Sequence, residues 1–171
     1  MKFQDKKVLW LTQGALIAAL YVALTLIFAP ISFGPVQLRI AEALCILPLF
    51  TPAAVPGLFI GCFIANLLGG GIVLDIVFGS LATLIGAWAG YLLRSNRWLV
   101  PVPAIIANTL IIPFVLKYGY GVADVALPVL ALQIFLGEVG GCFVLGELLC
   151  TAIQKRGAIA GIFGNSSNQT L

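Results

Sequence analysis

Ionisable and amide side chains interrupt the apolar stretches of this sequence, and they are densest in residues 33–44. There Gln37, Arg39 and Glu42 place an amide, a guanidinium and a carboxylate between two apolar runs. In hydrocarbon such side chains are costly and normally face a bundle interior, a partner or a water-filled cavity. A guanidinium donates and a carboxylate accepts charge-assisted hydrogen bonds, so this group could hold a polar solute. We predict a binding site near a membrane surface.

Further polar residues within apolar segments extend this group. The rise of about 1.5 Å per residue places almost all of them in the outer half of a membrane. We therefore predict an outward-opening cavity lined by Gln37, Arg39, Glu42, Asn66, Asp75, Asn108 and Glu138. Aromatic side chains that could stack on a solute there are Phe33, Phe78, Tyr118 and Tyr120.

A structural role for the same residues stays open. The three-residue spacing of Arg39 and Glu42 puts both on one helix face, where they could form an ion pair within the helix. Asn108 and Glu138 could form a hydrogen bond that holds two helices together. Glu147 follows Glu138 by nine residues and points from the opposite face, so we expect it to reach the interface or to meet a partner.

The elements that must position these residues are membrane helices. Of the 171 residues, 61% are hydrophobic and 9% are charged, which leaves too little polar surface for a soluble protein. Six apolar segments, at residues 8–29, 35–50, 56–68, 72–93, 98–116 and 127–153, are separated by Pro, Gly and charged residues. We predict an all-α membrane protein, one domain over residues 1–171, with six transmembrane helices and a polar cytoplasmic tail at residues 157–171.

Two further features concern orientation. The second and third segments are short for a straight crossing, so they are either short tilted spans or a re-entrant hairpin. Seven of the nine basic residues fall on one side of the predicted bundle, and only Arg39 and Lys117 fall on the other. This asymmetry predicts that both termini are cytoplasmic.

Several function classes are excluded or disfavoured. The absence of histidine excludes a His-based triad or imidazole metal site, and the absence of a Gly-Lys dipeptide excludes a Walker A loop. ATP-driven transport would need another subunit. The four cysteines, Cys45, Cys62, Cys142 and Cys150, lie in apolar runs without a metal-knuckle spacing, so we expect buried thiols, no metal and no cofactor. The net charge of +3 comes from the flanks and indicates membrane orientation, not nucleic-acid binding.

Small residues form stripes on two segments. Ala15, Ala19 and Ala23 recur every four residues, a spacing that lets another helix approach closely. Taken alone, this pattern favours packing inside the bundle over an external partner. A second stripe, which we assign to internal packing, consists of Gly79, Thr83, Gly86 and Gly90.

The sequence resembles the queuosine-precursor transporter family in residues 33–44, 56–62 and 74–80 and in Gly137-Glu138. The members of that family are S components, the substrate-binding subunits of energy-coupling factor transporters. The resemblance covers residues 8–153. It implies a six-helix S-component fold with a long first extracellular loop as a lid, in the plasma membrane of a bacterium. It also implies a transmembrane coupling subunit, on which Ala15, Ala19 and Ala23 would dock, and two cytoplasmic ATPases.

The implied ligand is a 7-deazaguanine base such as queuine, preQ0 or preQ1. Its pyrimidine edge offers two adjacent donors to one carboxylate, and we expect Glu138 with Asn108 there. An aminomethyl ammonium would need a second carboxylate, and Asp75 and Glu42 are candidates for it or for holding Arg39.

Three alternatives stay open. One is an S component for another vitamin. Another is a stand-alone ion-coupled carrier with Asp75 and Glu138 as proton sites. The third is an integral-membrane enzyme or assembly subunit, but an enzyme would need paired acid and base groups at the cytoplasmic face, where only Glu147 lies.

Overall fold

The computed structural model describes residues 3–32, 39–122 and 124–155, and the regular elements in these ranges are all helices. In chain order they are α1 (Phe3–Ile27), α2 (Ala29–Ser32), a 3₁₀ helix (Ile40–Leu49), α3 (Ala54–Leu68), α4 (Val73–Leu92), a 3₁₀ turn (Arg97–Leu99), α5 (Val102–Phe114), a π turn (Val115–Gly119), α6 (Leu127–Glu138), a π-helical segment (Val139–Leu145) and α7 (Gly146–Lys155). The elements from α6 to α7 follow one another without a break. The described chain therefore forms six main helical segments, as predicted.

Four of these segments are long and apolar enough to cross a membrane. They are Lys6–Ile27, Val73–Leu92, Arg97–Gly119 and Leu127–Lys155. The 3₁₀ helix of 10 residues spans only about 20 Å at about 2.0 Å per residue, and α3 with 15 residues spans about 22 Å. The protein is an all-helical membrane protein. That the two short helices also cross, and that both termini are cytoplasmic, stay predictions.

The 3₁₀ helix lies at the centre of the bundle. All of its residues from Ala41 to Pro48 are buried, and α1, α3, α4, the π-helical segment and α7 pack around it. A helix that is apolar on all sides is stable only when it is surrounded. We predicted an α-helix from Pro35 to Phe50. Residues 35–38 of that segment lie outside the described residues, and Ile40–Leu49 is a 3₁₀ helix, which corrects the expected geometry.

Close contacts between small residues join neighbouring helices. A Cβ atom at Gly61 of α3 would lie 2.8 Å from Tyr21 Cβ and 3.0 Å from Ala18 Cα of α1, and one at Gly86 of α4 would lie 2.5 Å from Ala104 Cα of α5. Gly79 and Gly90 also face close neighbours, and Thr83 is buried. The α4 stripe thus packs inside the bundle, as predicted.

The alanine stripe on α1 lies on the opposite side from the bundle. Ala15, Ala19 and Ala23 are exposed, whereas Ile17 and Tyr21 of the same helix are buried. Packing within this chain, which the pattern alone favoured, is therefore wrong for these three residues. Helix α1 packs on α3 through its other face.

Candidate functional site

The structure brings together the predicted site residues that it describes. All six have less than a tenth of their surface exposed: Arg39, Glu42, Asn66, Asp75, Asn108 and Glu138. Gln37 lies outside the described residues. Five of the six side chains fall into two neighbouring groups around the first turn of the 3₁₀ helix, and Asn108 lies beside Glu138 of the second group. We call them the arginine cluster (Arg39, Asn66, Asp75 and Tyr120) and the carboxylate cluster (Tyr21, Glu42, Cys45, Glu138 and Cys142).

The arginine cluster is a paired set of opposite charges. Arg39 Nη2 lies 3.8 Å from Asp75 Oδ2 on α4, and the Tyr120 hydroxyl donates to the same oxygen at 3.0 Å. Asn66 Nδ2 donates to the Asp75 carbonyl oxygen at 3.2 Å. Asp75, one of the two carboxylates that were candidates for holding Arg39, is its salt-bridge partner, whereas the alternative of an Arg39–Glu42 pair within one helix is not among the described salt bridges. Burial of a charge is tolerated when a partner of opposite sign accompanies it, as here.

Tyr120, which follows the π turn after α5, connects the loop at that end of the helix to the arginine cluster. Its side chain is 41% exposed, although its hydroxyl reaches the buried Asp75. Partial burial, and after it the nearby Asp75 carboxylate, raise the pKa of the Tyr120 hydroxyl above its usual value. The hydroxyl therefore stays a neutral donor at physiological pH. Tyr118 and Phe78 are exposed, and Phe33 lies outside the described residues.

The carboxylate cluster has two acids, and neither forms a salt bridge with a described side chain. Glu42 Oε1 accepts a hydrogen bond from the Tyr21 hydroxyl, and Glu42 Oε2 accepts one from the Cys45 thiol at 2.8 Å. Cys142 Sγ lies 3.1 Å from Glu138 Oε2 and 3.7 Å from Glu42 Oε2. Among the described side chains, the salt bridges join Arg39 to Asp75 and Arg97 to Glu147, so neither Glu42 nor Glu138 has one.

A thiol is a poor substitute for a cation. It is a weak donor with a single proton, and Cys142 can donate to only one of the two carboxylates at a time. Nitrogen donors on a cationic or guanine-like group make shorter and stronger hydrogen bonds with carboxylates. The carboxylate cluster is therefore suited to a ligand that brings such donors and displaces the thiols.

Unpaired polar atoms lie beside both clusters. Asn108 on α5 is within hydrogen-bonding range of Glu138, yet its amide nitrogen Nδ2 makes no hydrogen bond of good geometry with described atoms. Asn66 Oδ1 and Asp75 Oδ1 are also buried without such a partner. Most buried polar atoms in proteins are paired, so these three are candidates for contact with a ligand. The predicted cavity stays a prediction, because the described side chains contact one another.

The backbone of the last helix departs from α-helical geometry where it approaches Arg39 and Glu42. Immediately after Glu138 the helix widens into the π-helical segment, and π turns occur frequently at functional sites. A Cβ atom at Gly141 would lie 2.8 Å from the Arg39 carbonyl oxygen and 3.3 Å from Glu42 Cβ. Only glycine lets the two backbones approach so closely here.

Three residues of the carboxylate cluster escaped prediction from the sequence. Cys45 follows Glu42 by three residues and Cys142 follows Glu138 by four, so helical spacing could have placed each thiol beside its carboxylate. Tyr21 gives no comparable signal, because its contact with Glu42 depends on how α1 packs. All four cysteines are free and buried, as predicted.

Glu147 lies apart from both clusters and has a partner of its own. Its Oε2 is 2.8 Å from Arg97 Nη2, and Arg97 Nη1 donates to Gln154 Oε1 at 3.3 Å. This confirms the expectation that Glu147 meets a partner and does not join the other acids. The contacts tie the turn between α4 and α5 to α7.

Comparison with known proteins gives two matches. The family model described as QueT transporter matches residues 11–155. Among curated proteins, the queuosine precursor transporter QueT of Lactococcus lactis subsp. cremoris is 40% identical over 81 residues. That alignment covers 46% of this chain and 47% of the relative, so it spans about half of the relative's length. No solved structure matches the chain.

Proposed function

Because the chain belongs to the QueT transporter family, we propose that it is the S component of an ATP-driven energy-coupling factor transporter. In this proposal it captures a 7-deazaguanine precursor of queuosine from outside a bacterial cell and holds it within the plasma membrane. The name of the Lactococcus relative supports the substrate class. The protein is a membrane protein and, as a transporter subunit, not an enzyme.

The observation that carries the substrate proposal is the pairing of Glu42 and Glu138 around one thiol, with no salt bridge to either acid among the described side chains. The pyrimidine edge of a 7-deazaguanine has a ring N–H next to an exocyclic amino group, and one carboxylate can accept both. We assign this edge to Glu138. The amide nitrogen of Asn108, which lacks a hydrogen bond of good geometry, would donate to the ring carbonyl.

Glu42 is then the better candidate for an aminomethyl ammonium. Asp75 was the other candidate, but it already pairs with Arg39 and Tyr120. The ammonium would replace the thiol donors of Cys45 and Cys142 with charge-assisted hydrogen bonds. The site would bind other vitamins weakly, because a ligand without these nitrogen donors leaves the buried carboxylates of Glu42 and Glu138 poorly paired.

The exposed alanine stripe supports a partner on α1. Ala15, Ala19 and Ala23 make no contact with the bundle interior and leave a shallow surface on which a second helix can pack closely. We assign this face to a transmembrane coupling subunit that carries two cytoplasmic ATPases. The contact of Arg97 with Gln154 is consistent with a cytoplasmic carboxyl end, because it groups basic residues of the hinge and of α7 at one end of the bundle.

Calorimetry on the purified protein with queuine, preQ1, preQ0, thiamine and folate tests the substrate class. We expect binding of at least one deazaguanine and none of thiamine or folate. Binding of thiamine or folate alone would contradict the proposal and favour an S component for another vitamin. Uptake by vesicles that contain this chain without ATP or a coupling complex would favour an ion-coupled carrier.

The docking proposal has a test that separates it from substrate binding. Ala19→Leu adds bulk to the exposed stripe, so we expect unchanged deazaguanine affinity in calorimetry and abolished uptake in cells. Ile17→Val is the matched control, because it alters the buried face of the same helix and leaves the stripe intact. Wild-type uptake by Ala19→Leu would contradict the assignment of this face.

A further inference from the structure

Two cysteines that are far apart in the sequence meet within the carboxylate cluster. Cys45 on the 3₁₀ helix and Cys142 in the π-helical segment both lie against Glu42, and the ligand atoms of these three residues are all within 4.8 Å of one another. A second carboxylate, that of Glu138, lies 3.1 Å from Cys142 Sγ. We propose that these four residues form a binding site for a thiophilic divalent cation of the Zn²⁺ type.

The distances suit a tetrahedral ion after a small expansion. Zn²⁺ binds sulfur at about 2.3 Å and carboxylate oxygen at about 2.1 Å, which puts sulfur and oxygen ligands about 3.6 Å apart. The distance from Cys142 Sγ to Glu42 Oε2 is already 3.7 Å. The contacts from Cys45 to Glu42 at 2.8 Å and from Cys142 to Glu138 at 3.1 Å are hydrogen bonds. They would lengthen by less than an ångström when a cation replaces the thiol protons.

The chemistry of the donors selects the kind of cation. Two thiolates with carboxylates prefer Zn²⁺ and similar thiophilic ions over Mg²⁺ or Ca²⁺, which take oxygen ligands almost exclusively. The negative charges of Glu42 and Glu138 have no described salt-bridge partner that the cation would have to displace. Binding would release the two thiol protons to water, so affinity for the cation would rise with pH.

The site has a consequence that rests on the proposed function. A cation held by Glu42 and Glu138 occupies the same carboxylates that we assign to the deazaguanine. The two ligands would therefore exclude each other, and extracellular Zn²⁺ would inhibit uptake by competition.

The test uses Cd²⁺ as the probe, because thiolate–Cd²⁺ bonds give an ultraviolet charge-transfer band. Purified full-length protein, kept reduced, is titrated with Cd²⁺ while the band and the released protons are recorded. We expect one equivalent of Cd²⁺ to bind and at least two protons to be released per protein. Cys45→Ser and Cys142→Ser should each lower the affinity at least tenfold and weaken the band. Cys150→Ser is the matched control, since that thiol is buried elsewhere, and it should behave like the wild type.

Glu42→Gln guards against misfolded cysteine variants, because it retains both thiols. We expect this variant to bind Cd²⁺ more weakly. At saturating Cd²⁺ it should still show the thiolate–Cd²⁺ charge-transfer band, because both thiols are present. An unchanged band in both Cys45→Ser and Cys142→Ser would overturn the proposal. If Cd²⁺ binds as expected but no deazaguanine does, the cation site stands and the proposed transport function fails.

Discussion

The arginine cluster and the carboxylate cluster are neighbours around the same short helix, yet they balance their charges differently. In the first, Asp75 is matched by Arg39 and receives the Tyr120 hydroxyl. In the second, the donors next to Glu42 and Glu138 are neutral: a tyrosine hydroxyl, two thiols and the nearby Asn108 amide. Removal of one partner of a buried ion pair leaves an uncompensated buried charge, so the fold depends on both partners being present. Two buried acids without a salt bridge are costly to the protein alone, and in the proposed function a ligand with matching donors would offset that cost.

Removal of the acid in the arginine cluster should have the largest effect, and the effect should be on stability. Asp75→Asn leaves the buried Arg39 without its charge partner, which typically costs about 3–5 kcal/mol. Thermal unfolding in detergent, followed by circular dichroism, would measure the loss. The conservative control is Glu147→Gln at the other ion pair, which is more exposed and should cost less. If Asp75→Asn unfolds like the wild type, Arg39 does not depend on this pair.

The corresponding change in the carboxylate cluster should act on binding. Glu138→Gln replaces a carboxylate, whose two oxygens both accept hydrogen bonds, with an amide that has one acceptor oxygen and one donor group. We therefore expect a loss of deazaguanine affinity of about 100-fold, equivalent to about 3 kcal/mol. Stability should stay the same or increase, because one of two unpaired buried acids disappears. Calorimetry and thermal unfolding on the same sample separate the two effects. If Glu138→Gln unfolds at a lower temperature than the wild type but binds the deazaguanine normally, the carboxylate cluster has a structural role and not a binding role.

Tyr21 tests how far the carboxylate cluster depends on α1. Tyr21→Phe keeps the buried ring and removes only the hydroxyl that donates to Glu42. We expect about a tenfold loss of affinity for an amine-bearing deazaguanine, since one hydrogen bond to a charged group is worth about 1.5 kcal/mol. A deazaguanine without the amine should lose less. Equal losses for both ligands would show that Tyr21 acts through general packing.

Tyr120 should show the smallest effect, and its effect should depend on pH. Tyr120→Phe removes one hydrogen bond to Asp75 and should cost about 1 kcal/mol of stability at neutral pH. The pKa of this tyrosine is raised from its usual value of 10.0. The contribution is therefore complete below pH 10.0 and decreases as the pH rises from there through the raised pKa. Unfolding measured from neutral to strongly alkaline pH should show the two proteins converging.

The sequence was sufficient to select the buried polar residues but not to pair them. Arg39, Glu42, Asp75 and Glu138 stand out because charge inside an apolar segment needs a reason. Their partners lie on other helices, and spacing along one helix contains no information about how two helices dock. Glu42, three residues away, and Asp75 were therefore both candidates for holding Arg39, and the structure shows that the salt bridge is with Asp75 across the bundle.

The non-α geometry was also beyond prediction from the sequence. Nothing in the apolar run from Ile40 to Leu49 distinguishes a 3₁₀ helix from a short α-helix. Its burial on all sides in the assembled bundle is a tertiary effect. Likewise, the π-helical segment contains Gly141, which lies close to the Arg39 carbonyl oxygen, and a contact between segments so far apart in the chain cannot be found from spacing. Six helical segments were predictable because long apolar runs bounded by Pro, Gly and charge are unambiguous.

Close packing between α1 and α3 couples the positions of the two helices. Gly57 and Gly61 of α3 meet Gly14 and Ala18 of α1 with no space for even an added methyl group, so neither helix can slide without the other. A coupling subunit docked at Ala19, as we propose, would therefore contact the same helix from which the Tyr21 hydroxyl donates to Glu42. Docking of the partner and the hydrogen bond to Glu42 would then involve opposite faces of α1.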